Sequence, residues 1–243
     1  MPVGIPRLPF VIVQEEEEDD DDDDYDWMDL YNVLYRSRTL FLGQEIDYEI
    51  ANHLAGLMIF LNIEDPTKDL YFFINSPGGL ATAGLLIYDA MQLVKPDVYT
   101  LGLGLLASMA SFLLVGGAIS KRLLTPHSRV MIHQPASDYT GKDPAIEAIL
   151  DAEEVEQIRD MVIRVYVQRT QQPREVINDH LERNLFMSAT EAKDYGLIDD
   201  IGVQDVLARI REQNPHPDSD PDLDEENPYP ESDPDLDEEW QWI

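Results

Sequence analysis

Apolar and polar positions alternate along the chain in two rhythms. Residues 69–75 (DLYFFIN) form a short, mostly apolar run that reads as a strand, and SPGG at 76–79 follows as a turn. Residues 83–94 (AGLLIYDAMQLV) carry apolar positions at helical spacing, and Pro96 ends that helix. A strand over 97–101, a turn around Gly102 and Gly104, and a helix from Ser108 to Gly116-Gly117 repeat the unit. Residues 129–132 (RVMI) give one more strand, closed by HQP.

A long helix comes next, with Asp143 as N-cap, Pro144 in its first position and an end near Thr170. Its apolar positions, Ile146, Ile149, Leu150, Val155, Ile158, Val162, Ile163 and Val165, drift around the axis. Such a face calls for more than one packing partner, one of them plausibly another subunit. After Pro173 the pattern gives a short helix, a loop ERNLF at 182–186, and a capped helix from Ser188, with Glu191 completing the capping box, to Gly196. Alternating strands and helices place one α/β domain over residues 27–210.

Charge changes the picture at the ends. The net charge is −32, but the run at 15–24 and the segment 218–239 together hold 22 of the 49 acidic residues and no Lys or Arg, so roughly −10 remains for the rest. The octapeptide SDPDLDEE occurs at 219–226 and again at 232–239. Low apolar content and self-repulsion predict disorder for residues 1–26 and 211–243. An acidic chain without a basic patch is a poor partner for phosphates, which argues against nucleic acid. The absence of cysteine excludes disulfides, thiolate catalysis and Cys-based metal sites, and the five histidines show no metal-binding spacing. The opening MPVGIPRLPFVIV resembles neither a secretory signal nor a transit peptide, so the chain is expected to work where it is made. Residues 101–119 lack charge for the length of a membrane span, yet four glycines, two serines and a β-prone lead-in favour a buried strand, turn and helix.

The chemical candidates lie at the strand ends. Ser108 sits where a turn becomes a helix, near free N–H groups and the positive end of the dipole. Its context, LxSxA, excludes the GxSxG elbow. Gly78 and Gly79 suit a positive-φ turn that could aim an N–H at an oxyanion, and His133 ends an apolar strand. Each of these residues also has a purely structural explanation taken alone.

Together, NSPGG, ASMAS, MIHQP and FMSATEAKDYGLID, in this order and spacing, resemble the ClpP family of ATP-dependent serine peptidases. The resemblance covers about residues 27–203, and RVYVQRT with VMIHQPAS makes it most similar to the chloroplast-encoded form. It implies a ClpP/crotonase-like fold of repeated ββα units with a protruding handle helix. It also implies that Ser108 is the nucleophile, His133 the general base, and the backbone N–H groups of Gly79 and Met109 the oxyanion hole. The position of the family's triad aspartate falls on Asn184, and in the serine-protease template this exchange lowers turnover about 10⁴-fold. That leaves a second reading, a weak or silent structural subunit of a mixed ring; Asp179 and Glu182 are the nearby carboxylates that a rearranged loop could supply. Leu106 stands where the family usually has alanine. The family further implies two stacked seven-membered rings of Clp proteolytic subunits, an AAA+ unfoldase that hydrolyses the ATP and delivers unfolded proteins, no cofactor in this chain, no membrane span, and work in the chloroplast stroma. An acyl-CoA enzyme of crotonase type would also use paired N–H donors, but the serine and histidine contexts point away from it.

Overall fold

The computed structural model describes residues 7–11, 25–136 and 144–214. In chain order the elements are β1 (Arg7–Val11), β2 (Tyr25–Asp29), α1 (Leu30–Arg36), β3 (Thr39–Leu42), α2 (Tyr48–Glu64), β4 (Leu70–Ser76), α3 (Ala81–Leu93), β5 (Val98–Ala107) and α4 (Met109–Val115). Then follow β6 (Arg122–Leu124), β7 (Arg129–Ile132), α5 (Ala145–Thr170), α6 (Arg174–Leu181), β8 (Leu185–Ser188), α7 (Ala189–Tyr195), β9 (Asp200–Ile201) and α8 (Gln204–Gln213). This is the mixed α/β architecture that the alternation predicts.

The main sheet runs β3-β4-β5-β6-β9, all parallel. The inner strand β4 is buried on both faces, as a parallel strand covered by helices should be. Leu70, Phe72 and Ile74 belong to the large core with α2, α3 and α4. Tyr71 stacks on Tyr99 on the other face, in a second cluster with Phe73, Leu101 and Val206 of α8.

The turn expected at Gly102 and Gly104 is instead a bend inside one ten-residue strand. Thr100–Gly102 pair with β6 and Leu105–Ala107 pair with β7, so β5 forks the sheet. Gly104 takes φ +62 at the fork, and the Leu105 N–H donates to Asn75 Oδ1 at 3.2 Å. A positive-φ glycine kinks the strand here without ending it. The loop expected at 182–186 likewise gives way to β8, which pairs antiparallel with β7.

Other boundaries shift. The third helix starts at Ala81, and Val94 caps it from outside. The long helix begins at Ala145 with Pro144 just before it, while Asp143, its expected cap, lies outside the described residues. Disorder was expected throughout 1–26, yet Arg7–Val11 pairs with Tyr25–Asp29; the acidic run between them and the repeat after residue 214 lie outside the described residues. The uncharged stretch 101–119 divides between β5 and α4, and among the described residues no helix is long and apolar enough to cross a membrane. Leu106 is fully buried in the core beside Gly102, not in the site, so its bulk does not narrow the turn before Ser108.

A part-buried ion pair locks the far edge of the sheet. Arg122 Nη2 and Nε donate to the two carboxylate oxygens of Asp199 at 2.6 and 2.9 Å, and Nη1 donates to the carbonyls of Arg169 and Gly196. Burial opposes the Asp199 charge, but the hydrogen bonds from the Arg122 side chain and N–H outweigh it and hold the carboxyl below the usual carboxylate range. A folded-state value below the unfolded one of about 3.9 means that this stabilisation is complete above that pH and is lost as pH falls through the depressed value. Asp199→Asn strands the arginine and is expected to lower stability by about 2–3 kcal/mol at neutral pH, with the gap to wild type narrowing on acidification, as read by thermal unfolding across pH.

Candidate active site

Three adjacent strands deliver three side chains to one edge. In the β5–β7 ladder Ala107 pairs with Met131, and in the β7–β8 ladder Ile132 pairs with Leu185. The residues just beyond those pairs are Ser108, His133 and Asn184. Their side chains meet there: Ser108 Oγ is 2.8 Å from His133 Nε2, and His133 Nδ1 is 3.2 Å from Asn184 Oδ1. Ser108 and His133 are half-buried and Asn184 is exposed.

Ser108 adopts φ 57, ψ −124 as the residue between β5 and α4. A side chain in this region costs of order 1–3 kcal/mol, and the surrounding bonds hold it there. Its N–H donates to the Met131 carbonyl at 2.9 Å, and its carbonyl accepts from the N–H groups of Ser111 and Phe112. The turn thus throws the hydroxyl clear of the helix and toward the imidazole.

Gly78 (φ +95) and Gly79 (φ +152) lie against this turn. A Cβ on Gly78 would stand 2.6 Å from both Ser108 Cβ and the Ala107 carbonyl oxygen, and one on Gly79 would stand 2.2 Å from the Ile46 carbonyl oxygen. Close approach, then, is why both positions are glycine. Ile46 N–H donates to Gly78 C=O, and Leu80 N–H donates to Ile46 C=O, which turns the Gly79 N–H to the opposite side of its strand. Among the described residues neither that N–H nor the Met109 N–H has a hydrogen-bond partner, and both residues line the cavity beside Ser108.

That cavity is about 170 Å³. Ala81, Phe112, Val162 and Tyr166 make its wall largely apolar, with Pro135 at the rim. Val162 and Tyr166 come from the C-terminal half of α5, the half that is buried; Ile146, Ile149 and Leu150 in its first half are exposed.

Chemically, the arrangement can move a proton from a hydroxyl to an imidazole beside two free N–H donors. With the Asn184 carbonyl oxygen on Nδ1, the Nδ1–H tautomer is selected and the Nε2 lone pair is left for the serine proton. What an amide cannot supply is a negative charge opposite the imidazolium formed afterwards. Neither Asp179 nor Glu182 makes a hydrogen bond to His133, and among the described residues no carboxylate takes the place of the aspartate. Ser108, His133, Asn184, Gly79 and Met109 converge here, while Asp179, Glu182 and Leu106 do not join them. Sequence reasoning missed Ser111 and Tyr166, which lie beneath the turn; nothing local marks them, because they meet across 55 positions of chain.

Comparison with known proteins agrees over most of the chain. The Clp protease family matches residues 21–205. The ATP-dependent Clp protease proteolytic subunit of Oenothera elata subsp. hookeri is 63% identical over 224 residues, which cover 92% of this chain and 90% of that protein. The subunit of the same name from Nicotiana tabacum is 54% identical over 204 residues, covering 84% of this chain and all of the relative. A protein of Arabidopsis thaliana named chloroplastic ATP-dependent Clp protease proteolytic subunit 1 is similar to the same extent.

Proposed function

Because this chain belongs to the Clp protease family, we propose that it is a serine-type endopeptidase subunit in which Ser108 is the nucleophile and His133 the general base. The observation that carries this reading is the 2.8 Å approach of Ser108 Oγ to His133 Nε2 at a strained strand-to-helix turn.

The chemistry follows from the geometry. His133 Nε2 accepts the hydroxyl proton as Ser108 Oγ bonds to the peptide carbonyl carbon. The carbonyl oxygen becomes an oxyanion, held by the N–H groups of Gly79 and Met109. Collapse breaks the C–N bond, and the His133 proton leaves on the amine. Water, deprotonated by His133, then attacks the ester and frees Ser108. The apolar cavity takes an uncharged side chain next to the scissile bond. Every group in this sequence belongs to the chain or the substrate, so no cofactor is required.

An exposed apolar stripe on the first half of α5 (Ile146, Ile149, Leu150) supports assembly with other Clp proteolytic subunits, in two seven-membered rings that close a chamber. In that setting an AAA+ unfoldase consumes the ATP and feeds unfolded chains to the site. The names of the relatives include a chloroplastic protein, which supports work in the plastid, in its stroma.

Asn184 favours a second reading, a silent ring subunit whose neighbours cut. A serine-directed fluorophosphonate separates the two: labelling mapped to Ser108 by mass spectrometry is the expected result. An unlabelled Ser108 in the assembled complex, with labelling restored only by Asn184→Asp, would make the chain a scaffold.

A further inference from the structure

Behind the candidate nucleophile, two buried hydroxyls and two backbone carbonyls form a chain of contacts that the proton-transfer chemistry does not use. Ser111, fully buried in the first turn of α4, places its Oγ 2.6 Å from the Ser108 carbonyl oxygen and 2.9 Å from the Met131 carbonyl oxygen. The Tyr166 hydroxyl, from α5, stands 3.1 Å from the same Oγ. A serine hydroxyl has one proton to give and both carbonyls can only accept, so Ser111 shares that proton between the two carbonyls in a three-centre bond and Tyr166 donates to Ser111.

We propose that Tyr166 and Ser111 are positioning residues that clamp the Ser108 peptide to strand β7 and so fix the distance between the serine oxygen and His133; this rests on the assignment of Ser108 and His133 made above. The geometry supports it at each link. Met131 already accepts the Ser108 N–H and lies two residues before His133, so one hydroxyl bridges the backbone of the nucleophile to the strand that carries the base. Ser108 sits at φ 57 and relaxes unless something holds it. The phenol itself is fixed: it is 2% exposed and meets the Phe112 ring edge-on, with centroids 5.9 Å apart. Burial also pushes it well above its ordinary ionisation range, so it keeps the proton it donates. Since Tyr166 and Val162 also wall the cavity, the packing of the C-terminal half of α5 and the alignment of the catalytic pair are set by the same contact.

The test compares Ser111→Ala, Tyr166→Phe and the double variant in the assembled, Asn184→Asp chain, reading kcat, KM, the rate of fluorophosphonate labelling at Ser108, and Tm. Ser111→Ala leaves a buried phenol without a partner and lowers Tm. The double variant removes both partners while the carbonyls keep their backbone donors, so its Tm recovers. Each of the three is expected to lose about tenfold to a hundredfold in kcat and labelling rate with KM nearly unchanged, because a small misplacement of the reacting groups costs that much. The losses should not add, since all three variants break the same network, centred on Ser111 Oγ. A double variant whose kcat returns to the parent value along with its Tm overturns the clamp and leaves only a packing role. Ser108→Ala, run beside them, separates the two ideas. If that variant still turns over or still labels at the same rate, the nucleophile assignment fails and the clamp with it; if it is silent while the double variant is fully active, the clamp alone falls.

Discussion

Asn184→Asp is expected to raise peptide turnover by between about 10² and 10⁴-fold, with KM almost unchanged. The substitution changes one atom type at a fixed place, because Asn184 is held one residue before β8 by the Ile132–Leu185 pairing and already reaches His133 Nδ1 at 3.2 Å. Before reaction the amide does part of the aspartate's work, since its carbonyl oxygen accepts the Nδ1 proton and keeps the imidazole in the useful tautomer. After the serine proton has moved, the ring is a cation facing a neutral dipole. A carboxylate at that exposed point adds a full opposite charge beside the half-buried imidazole, which favours the charge-separated transition state over the neutral ground state. About 5 kcal/mol of barrier corresponds to the upper end of the range. The retained hydrogen bond argues for a gain below that limit, and equal turnover in the two chains would mean that the imidazolium is compensated from elsewhere. The check is steady-state cleavage of a fluorogenic peptide ending in an uncharged residue before the reporter, across pH. The gain should appear in kcat, because the aspartate acts on charge that exists only during the reaction.

How much of this was legible beforehand differs by scale. The motifs were readable as punctuation: SPGG after an apolar run marks a turn, and HQP after RVMI marks a strand end, because glycine and proline act locally. Their chemistry was not readable from periodicity at all; it came from the order of four motifs. A turn is expected at Gly102 and Gly104 where the structure has the fork of β5, since a positive-φ glycine such as Gly104 produces a turn or a kink depending on whether neighbouring strands continue the ladder, and those strands come later in the chain. Leu185 and Phe186, the end of the expected 182–186 loop, are strand for a related reason. The apolar run of Leu185–Met187 is too short to show a period, and it is a strand because β7 offers it an edge. Neither Ser111 nor Tyr166 is marked by any local pattern in the sequence. Only the fold shows that a hydroxyl on one and a phenol on the other meet.

Ser108→Ala is expected to abolish turnover, by a factor of order 10⁶ where the parent activity allows that range to be measured, and to leave Tm nearly unchanged. The two halves of the expectation have separate causes. Activity goes because, among the described residues, Ser108 alone places a hydroxyl within hydrogen-bonding reach of His133 Nε2, and the two N–H donors without a nucleophile can polarise a carbonyl but cannot form an acyl-enzyme. Stability stays because the Ser108 hydroxyl holds nothing else: the turn is fixed by the Ser108 N–H to Met131, by the Ser111 and Phe112 N–H groups to the Ser108 carbonyl, and by the Ser111 hydroxyl. Alanine at φ 57 is strained to about the same degree as serine. His133→Ala should lose nearly as much, and the double variant no more than either alone, because the pair acts as a unit. Residual turnover in Ser108→Ala that survives in the double variant would come from other subunits of the assembly. The control is to place the substitution in a preparation built from this chain alone; loss of cleavage there, with assembly intact on a sizing column, ties the chemistry to the one hydroxyl.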